Sequence, residues 1–305
     1  MTLPKSVTLF EMGARDGLQN ERAVISTDDK VRYIDLLSET GLKWIEATSF
    51  VSPKAIPQLA DAAELFARIR KAPGVRYPVL VPNLKGYERA KAAGADAIAV
   101  FTAASEEFTK RNINMTIDES LETFRAVVAA AKRDGLWVRG YVSTAFGSPF
   151  GDAVTPQMTV DVSLKLVEMG CDELSIGDTI GVAVPSQVEA LVPLLAREIP
   201  IDSLALHFHD TRGTALANVY AGLQQGVAKF DASSGGLGGC PYAPGATGNV
   251  GTEDVLYLLH QMGIQTGVDL AKVRKASRFI AGVVDHALTS KAYQALEAAD
   301  ALAAR

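Results

Sequence analysis

Two histidines lie two positions apart at the end of an apolar run, in the stretch SLALHFHD over residues 203–210. On a β-strand, residues i and i+2 point to the same side, so a strand here places the imidazoles of His207 and His209 together. Two neighbouring imidazoles form half of a good ligand set for a divalent metal ion. The alternative is a hydrogen-bonded histidine pair in the core, and the position at a strand end favours the metal.

A second candidate motif, ARDG, follows the first apolar run of the chain and contains Arg15 and Asp16. Asp16 is the natural third ligand, and a set of oxygen and nitrogen atoms without thiolate favours Mg²⁺ or Mn²⁺ over structural Zn²⁺. The same letters are typical of a turn in which Gly17 takes a positive φ, and both interpretations can hold together. Arg15 suits an oxyanion or carboxylate partner, because arginine is rarely buried unpaired.

The third candidate is a glycine-rich loop, GGLGGCPYAPGATGN, over residues 235–249. It lacks the G-K-[ST] of a phosphate-binding P-loop. Cys240 lies in mid-loop, where closure over a metal site would let it transfer a proton. A free cysteine is more often an inert small hydrophobe. We expect that role for Cys171, the other cysteine, which follows a helix cap and belongs to the core.

The elements that must position these residues follow a repeated pattern of a helical stretch, a glycine and a short β-prone run. The glycine fits the left-handed cap that ends a helix, and it occurs at Gly41, Gly94, Gly135, Gly170 and Gly226. Together with VTLFEM, YPVLVP and SLALHFH, the β-prone runs make eight strands. Helical patterns separate them, over residues 27–40, 57–71, 84–93, 116–134, 155–169, 185–198, 213–225 and 251–262.

Eight βα pairs in order predict an α/β fold, a (β/α)₈ TIM barrel, with additional C-terminal helices. We expect one catalytic domain over 1–305, with the barrel over about 5–265 and two helices packed on it over about 269–299. An open doubly wound sheet is disfavoured because no early G-x-G-x-x-G motif is present.

In such barrels the active site lies at the carboxyl ends of the strands. Polar residues at or just beyond nearly every strand end are therefore candidates for a common site. They include Glu46, Tyr141, Ser175, Asp178, His207, His209 and Asn249.

Composition excludes several other functions. The chain has 305 residues with 35 acidic and 30 basic side chains, and no basic block that would indicate nucleic-acid binding. No run approaches the ~20 apolar residues of a membrane helix, and no signal peptide is visible. Two cysteines suit a reducing compartment. We expect a cytoplasmic protein that binds neither nucleic acid nor membrane.

Nine stretches of the chain closely resemble 3-hydroxy-3-methylglutaryl-CoA lyases, and the likeness runs from about residue 5 to residue 290. The most specific is GGLGGCPY, whereas R-D-G-x-Q and H-x-H-D are shared with a wider superfamily of metal-dependent barrel lyases and synthases. The others include IEATSFVSPK, ASEEFTKRNIN, VRGYVS and GDTIGV.

The resemblance implies roles for individual residues. Asp16, His207, His209 and Asn249 would hold Mg²⁺ or Mn²⁺, Arg15 would stabilise an enolate, and Cys240 would serve the loop's catalytic role. Glu46, Asp178 and Glu253 match acidic active-site positions, while Asn112 and Tyr141 match substrate-side positions, to which we add Ser175 at its strand end. The implied substrate is an acyl-CoA and the implied assembly a homodimer.

The implied reaction is the cleavage of 3-hydroxy-3-methylglutaryl-CoA to acetoacetate and acetyl-CoA, as in leucine degradation and ketone-body metabolism. His207 or Asp16 would be the base. One alternative is a Claisen-type synthase acting on an acyl-CoA and a 2-oxo acid, but those enzymes usually carry Glu where this chain has Leu18, and a long C-terminal extension. Another is a lyase for a longer 3-hydroxy-3-alkylglutaryl-CoA, since GSPFGD at 147–152 departs from the common G-C-P-Y. A non-enzymatic metal-binding relative is the third.

Overall fold

The chain forms a parallel β-barrel surrounded by helices in a computed structural model that describes residues 3–239 and 248–303. Within these ranges, nine strands make one sheet in the order β2-β1-β9-β8-β7-β6-β5-β4-β3. Their bounds are Thr8–Glu11 (β1), Trp44–Ile45 (β2), Thr48–Ser49 (β3), Val79–Leu80 (β4), Ala97–Ala103 (β5), Trp137–Ser143 (β6), Glu173–Asp178 (β7), Leu204–Phe208 (β8) and Lys229–Ala232 (β9).

The barrel closes because β2 and β3 are two halves of the second predicted strand. The two residues between them bond to opposite neighbours: Glu46 N donates to Glu11 O over 2.9 Å, and Ala47 N donates to Pro78 O over 3.0 Å. The sheet edges therefore meet within one continuous segment, and the predicted eight-stranded TIM barrel is confirmed.

Helices follow the strands around the barrel. Their bounds in the described ranges are Thr27–Ser38 (α1), Ala62–Arg68 (α2), Leu84–Ala92 (α3), Glu106–Ile113 (α4), Ile117–Arg133 (α5), Pro156–Glu168 (α6), Pro185–Leu195 (α7), Ala215–Gln224 (α8), Thr252–Gln261 (α9), Leu270–Ala281 (α10) and Lys291–Ala303 (α11). The last two are the predicted C-terminal helices.

The five predicted glycine caps all have a positive φ, between 77° at Gly135 and 102° at Gly170. A side chain at such a position is strained, which explains why the chain leaves each helix at a glycine. After each cap the chain enters the amino end of the next strand, so the strands run parallel and their carboxyl ends lie on one face of the barrel.

Two expectations about local structure are wrong, and one helix was not predicted. The helix predicted over 57–71 is a 3₁₀ turn, Pro57–Leu59, followed by α2. The sequence analysis did not predict α4. Gly17 lies in a π-helical turn, Gly13–Gly17, in which its N–H donates to Met12 O over 3.1 Å, and it does not take a positive φ.

Aromatic side chains fill the barrel interior below the site. The rings of Trp44 and Trp137 lie 4.3 Å apart between centroids, and Phe10 stacks on Trp44 at 5.6 Å. The guanidinium of Arg139 lies 3.9 Å from the centroid of Phe10. The barrel is therefore closed from below, and its polar groups are accessible from the carboxyl face. Among the helices described, none has the length and apolarity that crossing a membrane requires.

Candidate active site

A cavity of about 730 Å³ opens at the carboxyl ends of the strands. Its wall combines side chains from the barrel interior with others from α4 and the segments after β1 and β3. Seven of the predicted site residues line it: Arg15, Asp16, Asn112, Tyr141, Ser175, His207 and His209.

The π-helical turn after β1 presents Arg15 and Asp16 to this cavity. Glu11 fixes the start of the turn by accepting a hydrogen bond from Gly13 N over 2.8 Å. A Cβ on Gly13 would lie 2.3 Å from the hydroxyl of Tyr33, so the turn packs against α1 more closely than any side chain permits. The wide turn replaces the tight one predicted, and it places both side chains at the top of the barrel.

Asp16, at the end of the first strand, lies beside the two histidines. Ligand atoms of Asp16, His207 and His209 all lie within 4.8 Å of one another. His209 Nε2 is 3.7 Å from Asp16 Oδ2, and the imidazole centroids are 5.1 Å apart. These separations suit three ligands arranged around a common ion.

Asn249, the fourth predicted ligand, lies beside Asp16. Its Nδ2 donates to Asp16 Oδ2 over 2.9 Å and to Leu237 O over 3.0 Å. Both partners are acceptors, which fixes the orientation of the amide. Asn249 Oδ1 is consequently a buried acceptor without a hydrogen-bond partner among the residues that the structure describes. Such an atom normally has a partner, and a divalent ion held by two oxygens and two imidazoles would provide one.

The charges around Asp16 keep it ionised. Burial alone would raise the pKa of this carboxyl group, but the Arg15 guanidinium and the two histidines hold it well below its usual range. Arg15 Nη1 donates to Asp16 Oδ1 over 2.7 Å. An anionic oxygen ligand is thus available beside the imidazoles.

Glu46 anchors the other side of the Arg15 guanidinium. It lies fully buried between β2 and β3, accepts from Arg15 Nε, and also accepts from the hydroxyl of Tyr141 over 3.2 Å. The guanidinium lies 5.5 Å from the Tyr141 ring centroid. Two carboxylates and one ring therefore hold Arg15 at the cavity wall.

Sequence reasoning missed Asp231, which lies in β9 inside the barrel. It accepts from Arg139 Nη2 over 2.6 Å and from Ser175 Oγ over 2.7 Å, and it lies 3.2 Å from His207 Nδ1. Ser175 lines the cavity as predicted, but its hydroxyl is directed to this carboxylate. An acidic residue between Phe230 and Ala232 in a largely buried strand was the available signal.

Two predicted catalytic carboxylates bond to backbone amides and are not among the residues that line the cavity. Asp178 accepts from the amides of Val182 and Ala183 over 2.9 and 3.0 Å. Glu253 accepts from Gly235 N over 2.8 Å and from the hydroxyl of Ser277, and burial raises its pKa to about 7. In these contacts they hold the segments after β7 and β9.

Cys240 lies outside the described residues. Gly239, which precedes it, lines the cavity, and its carbonyl accepts from Asn20 Nδ2 over 3.1 Å. Gly238 has a φ of 140°, and a Cβ there would lie 2.5 Å from Asn249 Nδ2. The described start of the glycine loop is therefore packed against the candidate ligand Asn249.

Known proteins share this architecture. The HMGL-like family model matches residues 6–280. A mitochondrial hydroxymethylglutaryl-CoA lyase of Bos taurus is 51% identical over 294 residues, which cover 96% of this chain and 90% of the relative. The crystal structure of a hydroxymethylglutaryl-CoA lyase from Pseudomonas aeruginosa superposes with a TM-score of 0.95 at 52% identity, over 98% of this chain and 99% of that one.

A third relative was solved with ligands bound. It is an HMG-CoA lyase from Acinetobacter baumannii in complex with coenzyme A and 3-methylmalate, with a TM-score of 0.92 and 37% identity over 97% of this chain and 96% of that one. Each similarity extends over nearly the whole chain, so it includes every strand of the barrel.

Proposed function

The chain belongs to the HMGL-like family, and from this premise we propose that it is a carbon–carbon lyase that cleaves 3-hydroxy-3-methylglutaryl-CoA to acetoacetate and acetyl-CoA. The observation that carries the proposal is the meeting of Asp16, His207 and His209 in a cavity that Arg15 also lines. The cavity, at about 730 Å³, is within the usual range for small-molecule and cofactor sites.

We propose that Asp16, His207, His209 and Asn249 hold a divalent ion, Mg²⁺ or Mn²⁺. Asn249 Oδ1, which has no partner among the described residues, and the carboxylate of Asp16 are oxygen donors of the kind these ions prefer. When bound, the ion would supply Lewis acidity that makes the tertiary hydroxyl of the substrate easier to deprotonate.

The reaction begins with removal of the proton from that hydroxyl. Two groups at the cavity wall can accept it, Asp16 and His207, and both lie at the hydroxyl-binding end of the cavity that we propose. The bond between Cα and Cβ then breaks, its electron pair remains on the thioester fragment as an enolate, and the hydroxyl carbon becomes the ketone of acetoacetate.

Arg15 would stabilise the enolate. Burial alone would lower the pKa of its guanidinium, but Glu46 and Asp16 raise that pKa above its ordinary value, so the side chain is a fixed cation. A cation held in place before the reaction stabilises developing negative charge without a reorganisation cost. Glu46 and Tyr141 would position it.

Cys240 would return a proton to the enolate carbon. The support is its position directly after Gly239, a residue of the cavity wall, and the glycine-rich sequence that would let the loop close over the substrate. Protonation at carbon converts the enolate into acetyl-CoA and completes the reaction.

The test is product analysis of the purified protein with 3-hydroxy-3-methylglutaryl-CoA and either Mg²⁺ or Mn²⁺. We expect acetoacetate and acetyl-CoA in equal amounts, and no turnover after chelation of the ion. Thioesters with longer 3-alkyl groups are assayed in parallel to define the acyl specificity. Condensation of acetyl-CoA with a 2-oxo acid, without cleavage, would replace the lyase proposal by the synthase alternative.

A further inference from the structure

Asp231 is a fully buried carboxylate to which three other strands direct polar groups. Arg139 of β6 donates to Oδ1 over 2.6 Å, and Ser175 of β7 donates to Oδ2 over 2.7 Å. His207 of β8 lies in register with Asp231 and places Nδ1 3.2 Å from Oδ2. A buried charge requires such partners, because it has lost its hydration.

The partners decide which nitrogen of His207 carries a proton. A guanidinium has donors only, so the Asp231 oxygen that faces Arg139 must be an acceptor. Arg139 is also a permanent cation, which matches an anionic carboxylate at this contact. The oxygen that faces His207 Nδ1 is then an acceptor as well, and Nδ1 must donate to it.

The tautomer of His207 determines whether its ring can bind a metal ion. With the proton on Nδ1, the neutral ring keeps its lone pair on Nε2, the only form in which that nitrogen can be a ligand. We infer that Asp231 is a positioning residue that holds His207 in the Nδ1–H tautomer and orients its ring toward Asp16 and His209. The inference rests on the proposed function for its catalytic meaning: a His207 that donates through Nδ1 and binds the ion through Nε2 has no free nitrogen to accept a proton, which leaves Asp16 as the candidate base.

A purely structural role for Asp231, as the counter-ion of Arg139, is the competing explanation. Glu173 of β7 provides a matched control, because it lies on the same guanidinium with Oε1 3.1 Å from Nε and also pairs with Lys229. It is nearly as buried, and His207 is not among its ion-pair partners. A role in stability alone predicts similar effects for the two carboxylates, whereas positioning of His207 predicts an effect for Asp231 only.

Asp231→Asn is the diagnostic variant because it preserves shape but exchanges one acceptor for a donor. Arg139 can face only the amide oxygen, so the amide nitrogen is turned toward Ser175 and His207. His207 Nδ1 must then accept, which moves the proton to Nε2. The variant should therefore place the proton of His207 on Nε2, the nitrogen that would otherwise bind the ion.

The tautomer is read on the metal-free protein by long-range ¹H–¹⁵N correlation spectroscopy with labelled histidine. The chain has four histidines, and His207→Gln assigns the signal. We expect Nδ1–H for the parent and for Glu173→Gln, and Nε2–H for Asp231→Asn. Titration with Mn²⁺ should show a loss of ~10–100-fold in affinity for Asp231→Asn, the usual effect of removing such a partner, and parental affinity for Glu173→Gln.

Nδ1–H together with parental Mn²⁺ affinity in folded Asp231→Asn would overturn the inference, as would Nε2–H in the parent. The parent measurement needs no variant, so the inference stays testable even if Asp231→Asn does not fold. Neither readout uses substrate. A parent that binds Mn²⁺ with the expected tautomer but releases no acetoacetate would contradict the proposed function and leave the role of Asp231 intact.

Discussion

Asn249 Nδ2 donates to Asp16 Oδ2 over 2.9 Å, across 233 residues of sequence. This bond and the one to Leu237 O use both amide hydrogens, and within residues 3–239 and 248–303 Oδ1 has no hydrogen-bond partner. The contact joins the turn after β1 to the end of the glycine loop. Asn249 therefore has a structural role toward Asp16 and a free oxygen for a ligand at the same time.

Asn249→Ala should weaken Mn²⁺ binding by more than it lowers stability. The variant removes the free oxygen and also releases Asp16 from its hydrogen bond. Titration with Mn²⁺ and thermal unfolding check this. Asn218→Ala is the matched control, since Asn218 is fully buried on α8, donates to Ala183 O over 2.9 Å and is not one of the proposed ligands. We expect that control to lose stability and keep its metal affinity.

His209→Ala should also lose metal affinity ahead of fold stability. Nδ1 of His209 is buried and has no hydrogen-bond partner in the described part of the chain, so few of the bonds seen there are broken by the change. His260→Ala, at an exposed position on α9 that contacts Thr266, serves as the control and should bind Mn²⁺ like the parent. Parental affinity in the His209 variant would mean that the histidine pair is not a metal site.

The barrel was predictable because its signals are local. The glycine caps and the apolar runs between them are each contained in about ten residues, and the structure has them where expected. Helix α4 was not predictable in the same way, since EEFTKRNI is mainly polar and buries only Phe108 and Thr109. Ser105 starts it by accepting a hydrogen bond from Phe108 N over 3.0 Å.

The candidate site was less predictable where it depends on distant contacts. His207 and His209 follow from strand periodicity alone. The π-helical turn depends on the close approach of Gly13 to Tyr33, and the importance of Asp231 depends on Arg139, 92 residues away. Contacts of this kind are created by closing the barrel, and no short stretch of sequence contains them.

Cys240→Ser should retain metal and substrate binding but slow turnover, because a positioned proton donor contributes ~10²–10⁴-fold. Alkylation of the thiol should have the same effect, with bound substrate protecting. Cys171→Ser gives a matched background for the alkylation, since burial raises the pKa of the Cys171 thiol to about 12 and keeps it unreactive at neutral pH. Turnover near the parental rate in Cys240→Ser would show that Cys240 has no catalytic role and contributes only to packing.

Glu253→Gln should change how stability depends on pH. Burial raises the pKa of Glu253 to about 7, above its value of about 4.5 in the unfolded chain, so the folded state binds more protons between these values. The contribution of Glu253 is present below pH 4.5 and is lost as the pH rises to 7. Glutamine can still accept from Gly235 N and donate to Ser277 Oγ, both partners of Glu253.

Denaturant unfolding of the parent and Glu253→Gln at pH 5 and pH 8 measures this dependence. Relative to the parent, the variant should lose less stability between the two values. Glu11 remains in both proteins, with its own pKa raised to about 7, chiefly by burial and further by the charge of Glu253. Removal of that charge lowers the pKa of Glu11, so both carboxyl groups change the difference between parent and variant in the same direction. An identical pH dependence in the two proteins would show that Glu253 is ionised throughout.

Arg15→Gln separates two mechanisms for the guanidinium. If Arg15 only binds a carboxylate of the substrate, its loss raises KM with little effect on kcat, because the enzyme then binds the ground state and the transition state less tightly by the same amount. If it stabilises the enolate, kcat falls by ~10²–10³-fold, the usual effect of losing one donor to a developing oxyanion. We expect the second pattern, since Glu46 and Asp16 already fix the group in place before the substrate binds.

The variant also leaves Glu46 buried without its cation, so unfolding and Mn²⁺ affinity are measured beside the kinetics. Arg15→Lys provides the comparison. A lysine keeps the charge but cannot bond Asp16 and Glu46 through two edges of a planar group, as Arg15 Nη1 and Nε do. It should recover part of the lost kcat if charge stabilisation is what matters. A kcat near that of the parent in Arg15→Gln, with KM alone increased, would assign Arg15 to substrate binding.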